Sequence, residues 1–365
     1  MRVSGDNSAR DHFRETGDNL MPSDSFDVCA IGNALVDVIA DASDDFLRAH
    51  KIQKGGMTLV DAERASELYD VIGPTVQMSG GSAANTVAGV ASLGGKPAYM
   101  GKVKADQLGA IFRHDMHAMG VHFATPPAPE RRHTIEPVAN ERRGGAPTGR
   151  CLILVTPDAQ RSMNTYLGAA VEFGPGDIQP DVIKHSQVTY LEGYLYDRPE
   201  AKEAFHGAAK IVHESGRKLS LTLSDVFCVE RHRAAFLDLI KNQVDILFAN
   251  QNELLALYQT NDLDSAVAQA RAHCEIAVTT RSEKGALIAA GKNTIEIPAE
   301  PIAKVVDTTG AGDLFAAGFL FGFTQKQSLE KCARLGAICA AEVISHYGPR
   351  PQQSLKALVE KKIAA

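Results

Sequence analysis

Tryptophan is absent from the 365 residues, and Phe, Tyr and Trp together make up only 6%. That is too few for the row of stacking rings on which single-stranded nucleic acid is held. Basic residues are not in excess either: 38 Lys and Arg against 44 Asp and Glu give a formal net charge of −6. This is the wrong sign for a surface that binds polyanions throughout, so no nucleic-acid partner is expected and any phosphate must be held locally. The six cysteines, Cys29, Cys151, Cys228, Cys274, Cys332 and Cys339, are scattered, with no C-x-x-C pair and no histidine at metal-ligand spacing. A disulfide framework and a zinc site are therefore left out, and a reduced cytoplasm fits. No apolar run reaches the roughly 18 residues of a membrane helix, the N-terminus lacks the apolar core of a signal peptide, and there is no internal repeat. What is present is ordinary for a folded chain, 44% hydrophobic and 22% charged residues, enough for one large domain or a core domain with a smaller one.

Residues 1–24 are polar and charged and are expected to be a disordered extension, with Met21 an alternative start. From Phe26 on, short β-branched runs alternate with helical stretches. Val188 to Leu191, Leu219 to Leu223, Val244 to Phe248 and Glu275 to Thr279 read as buried strands, separated by helical segments over 199–216, 231–242 and 252–273. This alternation predicts an α/β fold: a doubly wound, mostly parallel sheet with helices on both faces. Ligands on such a sheet sit beyond the carboxyl ends of its strands. Residues 34–60 and 96–169 break the rhythm with short strands, including the hairpin-like CLILVTPDAQRSMNTYL with its Pro157–Asp158 turn, and are expected to form a small β-rich lid. The stretch 126–149 should be a solvated loop, its Arg131, Arg132, Arg142 and Arg143 lying in solvent or meeting a phosphate. The fold domain is placed at 25–352, followed by a C-terminal helix over 353–365.

The sharpest chemical signal is Asp307, Thr308, Thr309, Gly310, Ala311, Gly312, Asp313, running into the apolar LFAAGFLFGF. Small residues at Ala316, Ala317 and Gly318 suit a buried helix packed closely on its neighbours, which makes Gly310 to Gly312 the turn at its N-terminus. Backbone N–H groups there lack intrahelical partners and the dipole favours negative charge, so the turn is an anion hole. Asp313, on the first helical turn, would lie beside a transferred phosphoryl group and take a proton from an attacking hydroxyl; the alternative is a helix-start residue that complements the dipole. Two lookalikes fail on context. Gly310, Gly312 and Phe315 miss the dinucleotide fingerprint, and GVASLGGK, Gly89 to Lys96, is one residue too long for a P-loop, with Pro97 in place of its Ser or Thr.

A second motif, Ser79, Gly80, Gly81, Ser82, Ala83, Ala84, Asn85, Thr86, opens another helix. Its glycines expose backbone amides, and Asn85 offers a donor and an acceptor, a combination suited to a polyol. Asp37, on the strand-like Leu35 to Ala40, is placed to accept hydrogen bonds from vicinal hydroxyls. A helix cap with a buried, satisfied Asn is the other reading of the motif.

GGSAANT near residue 80 and DTTGAGD near 307, in this order, resemble the paired signatures of the ribokinase and phosphofructokinase-B family of sugar and nucleoside kinases, over Phe26 to about Pro351. The resemblance implies ATP and Mg2+ as cofactors, Asp313 as catalytic base, Gly310, Ala311 and Gly312 as the anion hole, and Gly80, Gly81, Ser82 and Asn85 as holders of the substrate sugar. Asn250 and Glu253 look like the family's N-x-x-E element, which positions Mg2+ through water. Thr280 to Gly285 resembles its T-x-G-x-x-G nucleotide loop, with Ser282 where Gly is usual. Asp307 and Thr309, with the backbone near Gly348, resemble the loop that holds a monovalent cation such as K+ in many members. GNALVDV, Gly32 to Val38, is closer to the adenosine kinase branch, with Asn33 and Asp37 at ribose-contacting places; Leu35 and Tyr194 then fall where a nucleobase packs, and Arg161 matches the arginine that reaches toward phosphate. Glu192 stands where ribokinase-like members place a sugar-binding Glu. The expected function is phosphorylation of a purine nucleoside, adenosine foremost, at its 5′-hydroxyl, with a free-sugar kinase and a non-catalytic nucleoside-binding regulator as alternatives.

Overall fold

The structure, a computed structural model, describes residues 26–128, 145–158 and 160–364. Residues 1–24 and the four arginines Arg131, Arg132, Arg142 and Arg143 lie outside the described residues. The chain enters on β1 (Phe26–Ile31) and passes at once into a second sheet through β2 (Leu35–Asp41), helix α1 (Asp44–Ala49), β3 (Met57–Leu59), α2 (Ala62–Val71) and β4 (Val76–Gly80). It returns through α3 (Ser82–Ser92), β5 (Pro97–Met100) and α4 (Gln107–Ala118), and revisits the second sheet with the hairpin β6 (Gly149–Val155) and β7 (Arg161–Tyr166). The rest alternates: α5 (Pro180–Lys184), β8 (Ser186–Glu192), α6 (Pro199–Glu214), β9 (Lys218–Thr222), α7 (Val226–Asn242), β10 (Ile246–Asn250), α8 (Gln251–Tyr258), α9 (Leu263–His273) and β11 (Ile276–Thr280). The hairpin β12 (Ala286–Ala290) and β13 (Asn293–Ile297) precedes the final helices α10 (Ala311–Thr324), α11 (Leu329–Val343) and α12 (Leu355–Ala364).

The main sheet has eight strands in the order β13-β12-β11-β10-β9-β8-β1-β5. Its pairs from β11 through β5 are parallel; only the β11–β12 and β12–β13 pairs are antiparallel. Strand alternation divides the core between the two faces. Val28, Ala30, Ile246 and Phe248 point toward α3, α4, α10 and α11, whereas Cys29, Ile31, Leu247 and Ala249 point toward α5 to α9. The glycines of the apolar run set helix against helix: a Cβ at Gly318 would stand 2.5 Å from the Leu335 carbonyl oxygen, so α11 packs here only against Gly. Among the described residues no helix is long and apolar enough to cross a membrane.

The second sheet, β3-β7-β6-β2-β4, is the β-rich lid, and its composition corrects the expected boundaries. The stretch 96–169 contributes only β6 and β7 to it, while β5 joins the main sheet and α4 buries Phe112 and Met116 in the main core. Residues 62–80 add α2 and the edge strand β4, which were not expected there. The helix expected over 252–273 is broken: Gln259 takes a left-handed conformation (φ 50) and the Asp262 side chain caps α9 by accepting from the Ser265 N–H. Turn-forming Thr260, Asn261 and Asp262 compete with the helix there. The helix expected from 231 begins earlier, at Val226, because Asp225 accepts from the Cys228 N–H.

Candidate active site

Between β1 and β8 the strand order reverses, β1 leading outward to β5 and β8 leading the other way, which opens a crevice beyond their carboxyl ends. Asn33 follows β1 and Glu192 ends β8, so sheet topology brings them face to face. Glu192 Oε1 accepts from Asn33 N (3.2 Å) and Nδ2 (2.9 Å), and Oε2 accepts from Ala83 N (2.8 Å) in the first turn of α3. Gly32 leaves room for this, since a Cβ there would lie 2.4 Å from Glu192 Oε2. Burial raises the Glu192 carboxyl to about 7 in spite of its three N–H donors. Through these three bonds Glu192 braces Asn33 and α3.

The two signature motifs meet at Asp313. Its Oδ1 accepts from Ser82 Oγ (2.6 Å) and its Oδ2 from Asn85 Nδ2 (2.8 Å), joining residues 231 and 228 positions apart. Gly310, at φ 80, caps α10, with its α-carbon against Pro349; a Cβ at Gly312 would meet open space, which leaves this turn free for a close-approaching anion. Burial raises the Asp313 carboxyl, while the hydroxyl of Ser82, the amide of Asn85 and the charge of Arg350 hold it back.

Asp37, on β2, is buried, and burial lifts it to about 6 against the pull of Arg350 and Arg161. Gly80 packs directly on it: a Cβ there would sit 2.3 Å from Asp37 Oδ1. Gly81, at φ 98, has the Asn33 carbonyl where a Cβ would be, so the second glycine is required by both conformation and space. Asn33 Oδ1 and Asn85 Oδ1 are buried and unpartnered. Of these residues Asn85 is the one bonded to Asp313, through its Nδ2. Leu35 is buried over Gly149, and the Tyr194 hydroxyl donates to the Ser224 carbonyl (3.2 Å).

On the neighbouring strands, Asn250 and Thr280 are register partners at the carboxyl ends of β10 and β11. Asn250 and Glu253 form a reciprocal cap, Asn250 N donating to Glu253 Oε2 (2.9 Å), Asn250 Nδ2 to Oε1 (2.5 Å) and Glu253 N to Asn250 Oδ1 (2.9 Å). Burial raises Glu253 to about 7. With these oxygens engaged and no cluster of three or more metal-ligating side chains among the described residues, the pair fits magnesium only through intervening waters. In the segment expected to form the nucleotide loop, Ser282 has φ 52, a left-handed conformation that Gly adopts without strain, and Gly285 at φ 79 has the Ile297 carbonyl oxygen 2.0 Å from where a Cβ would be.

The Asp307 carboxylate is engaged by protein groups on both oxygens. Its Oδ1 accepts from Thr309 N (3.0 Å) and Oγ1 (2.8 Å), its Oδ2 from Gly348 N (2.9 Å), and the guanidinium of Arg161 places Nε 3.0 Å from Oδ2. The nearby Ile344 and Tyr347 carbonyls also accept from protein donors. The carboxylate is already matched by a positive charge, and Arg161 faces Asp307 with its guanidinium 5.4 Å from the Tyr347 ring centre.

Arg350 escaped sequence reasoning. Its Nε and Nη2 donate to the Ser79 carbonyl (3.2 and 2.8 Å) and its Nη1 to the Ala84 carbonyl (2.7 Å), on either side of the paired glycines. The local signal was its setting between Pro349 and Pro351.

The model of the pfkB family of carbohydrate kinases matches residues 27–355. A crystal structure of a probable sugar kinase protein from Rhizobium etli CFN 42 is 51% identical, covering 94% of this chain and 100% of that one, with a TM-score of 0.84. The adenosine kinase from Sinorhizobium meliloti is also 51% identical, covering 93% and 99%, with a TM-score of 0.83. Among curated proteins, adenosine kinase from Saccharomyces cerevisiae is 27% identical over 342 residues, 87% of this chain and 95% of the relative. With the match running from β1 into α12 and enclosing both signature motifs, the chain is a kinase and belongs to the pfkB family of carbohydrate kinases.

Proposed function

We propose that this protein is a nucleoside kinase that transfers the γ-phosphoryl group of ATP to the 5′-hydroxyl of a purine nucleoside, adenosine foremost. The observation that carries the reading is the pair of buried acceptors without donors, Asn33 Oδ1 and Asn85 Oδ1, with the buried Asp37 carboxylate against Gly80 and Asn85 bonded to the Asp313 carboxylate. A buried acceptor left unpaired costs about 1–3 kcal/mol, and a ribose supplies hydroxyl donors for such groups. Asp313 takes the proton of the attacking hydroxyl, oriented by Ser82 and Asn85, while the Gly310–Gly312 turn at the N-terminus of α10 receives the phosphate charge. Arg161 leaves Asp307 for the phosphate when the lid closes. When bound, magnesium neutralises phosphate charge; Asn250 and Glu253 would hold its waters, and Thr280, Ser282 and Gly285 border the nucleotide.

The buried Leu35 and the part-buried Tyr194 favour a nucleoside over a small sugar, because they offer apolar surface to a base. The Sinorhizobium adenosine kinase, 51% identical, supports the same choice; the Rhizobium probable sugar kinase, equally similar, supports a sugar kinase. A panel of purine and pyrimidine nucleosides, ribose and fructose, assayed for ATP-dependent phosphorylation, decides between them. Turnover of a sugar with none of any nucleoside overturns the nucleoside reading.

A further inference from the structure

The tripeptide Gly348, Pro349, Arg350 touches both halves of the site. Gly348 N donates to Asp307 Oδ2 (2.9 Å), and the Pro349 side chain lies where a Cβ on Gly310 would be (2.8 Å). Arg350 reaches the other way, to the carbonyls of Ser79 and Ala84 and the Ser79 hydroxyl (3.2 Å). Ser79 belongs to β4, an edge strand with β2 on one side only, so its outward N–H and C=O have no ladder partner. Arg350 takes the carbonyl, and Asp115 Oδ2, on α4, takes the N–H at 2.7 Å. The peptide at which the lid passes into the main domain is therefore held by two charged side chains of that domain, just before the Gly80–Gly81 turn.

We propose that Arg350 is a positioning residue that fixes the Gly80–Gly81 junction to the anion-hole turn, so that Asp37, carried on the strand paired with β4, stays in register with Asp313. Its guanidinium also lowers the carboxyls of both Asp37 and Asp313 against the effect of burial. A planar fork can bridge two carbonyls while presenting a delocalised charge to two carboxylates; a lysine ammonium can supply the charge alone.

The inference rests on the nucleoside kinase reading, and its test separates the two. In Arg350→Gln and Arg350→Lys, turnover should fall tenfold or more, with the KM for ATP changing less than twofold. The acid limb of the kcat/KM profile should move to higher pH in the Gln variant, because the cation that favoured ionised Asp37 and Asp313 is gone. The Lys variant should keep the wild-type limb. Amide hydrogen exchange at Ser79 and Asn85 should speed up in both, a readout independent of substrate identity. If Arg350→Gln does not fold, the Lys variant decides by turnover and exchange. Kinetic constants within twofold of wild type, or an unmoved limb in a folded Gln variant, overturn the proposal. Absence of phosphorylation by the wild type overturns the kinase reading instead, and slowed or unchanged exchange then overturns the junction.

Discussion

Arg161 and Asp307 form a buried ion pair between the lid and the main domain: Nε lies 3.0 Å from Oδ2 and each side chain is only 6% exposed. Arg161 sits at the start of β7 in the lid sheet, and Asp307 precedes the anion-hole turn. The pair therefore ties the lid sheet to the turn that is proposed to receive phosphate charge.

Breaking one partner of a buried pair strands the other charge, at a cost of roughly 3–5 kcal/mol. Arg161→Met and Asp307→Asn should each lower the thermal midpoint, and the double variant should lose much less than the sum of the two. Additive losses would show that the charges are not coupled. Arg161→Met should also reduce turnover more than nucleoside affinity; equal turnover at saturating substrates would remove Arg161 from the phosphate.

Asp313→Asn keeps the hydrogen-bonding shape toward Ser82 and Asn85 but cannot accept the proton. Removal of a positioned general base lowers rate by about 10² to 10⁴, so turnover should fall by that much, with nucleoside binding by calorimetry nearly unchanged and the fold verified by its thermal midpoint. Retention of a tenth of wild-type turnover in a rate-limiting chemical step would show that Asp313 is not the base.

Asp37 is expected to read the ribose diol. A 2′-deoxynucleoside leaves the carboxylate with one donor fewer, which at about 1–3 kcal/mol corresponds to a kcat/KM lower by about one to two orders of magnitude. Because burial raises Asp37 to about 6, the preference should weaken as pH falls through 6 and the carboxyl becomes neutral. Equal specificity constants for adenosine and 2′-deoxyadenosine at pH 8 would reassign Asp37.

Glu192 gives a stability prediction with a definite sign. Its native carboxyl is raised to about 7, above the ordinary carboxylate value near 4.3, so between these limits the folded state binds more protons than the unfolded one and stability falls as pH rises. Glu192→Gln removes this titration. The difference in thermal midpoint, variant minus wild type, should grow from pH 5 to pH 7.5. A difference that is constant or shrinks over this range would show that Glu192 ionises normally.

Gly310 to Asp313 and Gly80 to Asn85 were legible in the sequence because their requirements are local. A left-handed turn needs Gly, a helix opening leaves amides free, and Asp or Asn one turn in has a direction set by the helix. The alternating strands from Val188 onward were legible for the same reason, as continuous apolar runs buried on both faces. Neighbouring residues carry all of that information.

Partnership across the chain was not legible. Glu192 looks free until β1 and β8 become neighbours and bring Asn33, 159 positions away, and Ala83, 109 positions away, onto its two oxygens. Arg350 is 271 positions from Ser79, and only the exposed edge of β4 creates the unpaired carbonyl that it satisfies. The residues of the lid also depend on pairing: β5 is as apolar as a lid strand, but its register with β1 places it in the main sheet. Composition and spacing determined which groups could do chemistry; the order of the strands decided which distant groups each of them meets, because hydrogen-bond partners far apart in the chain become neighbours only through the sheet.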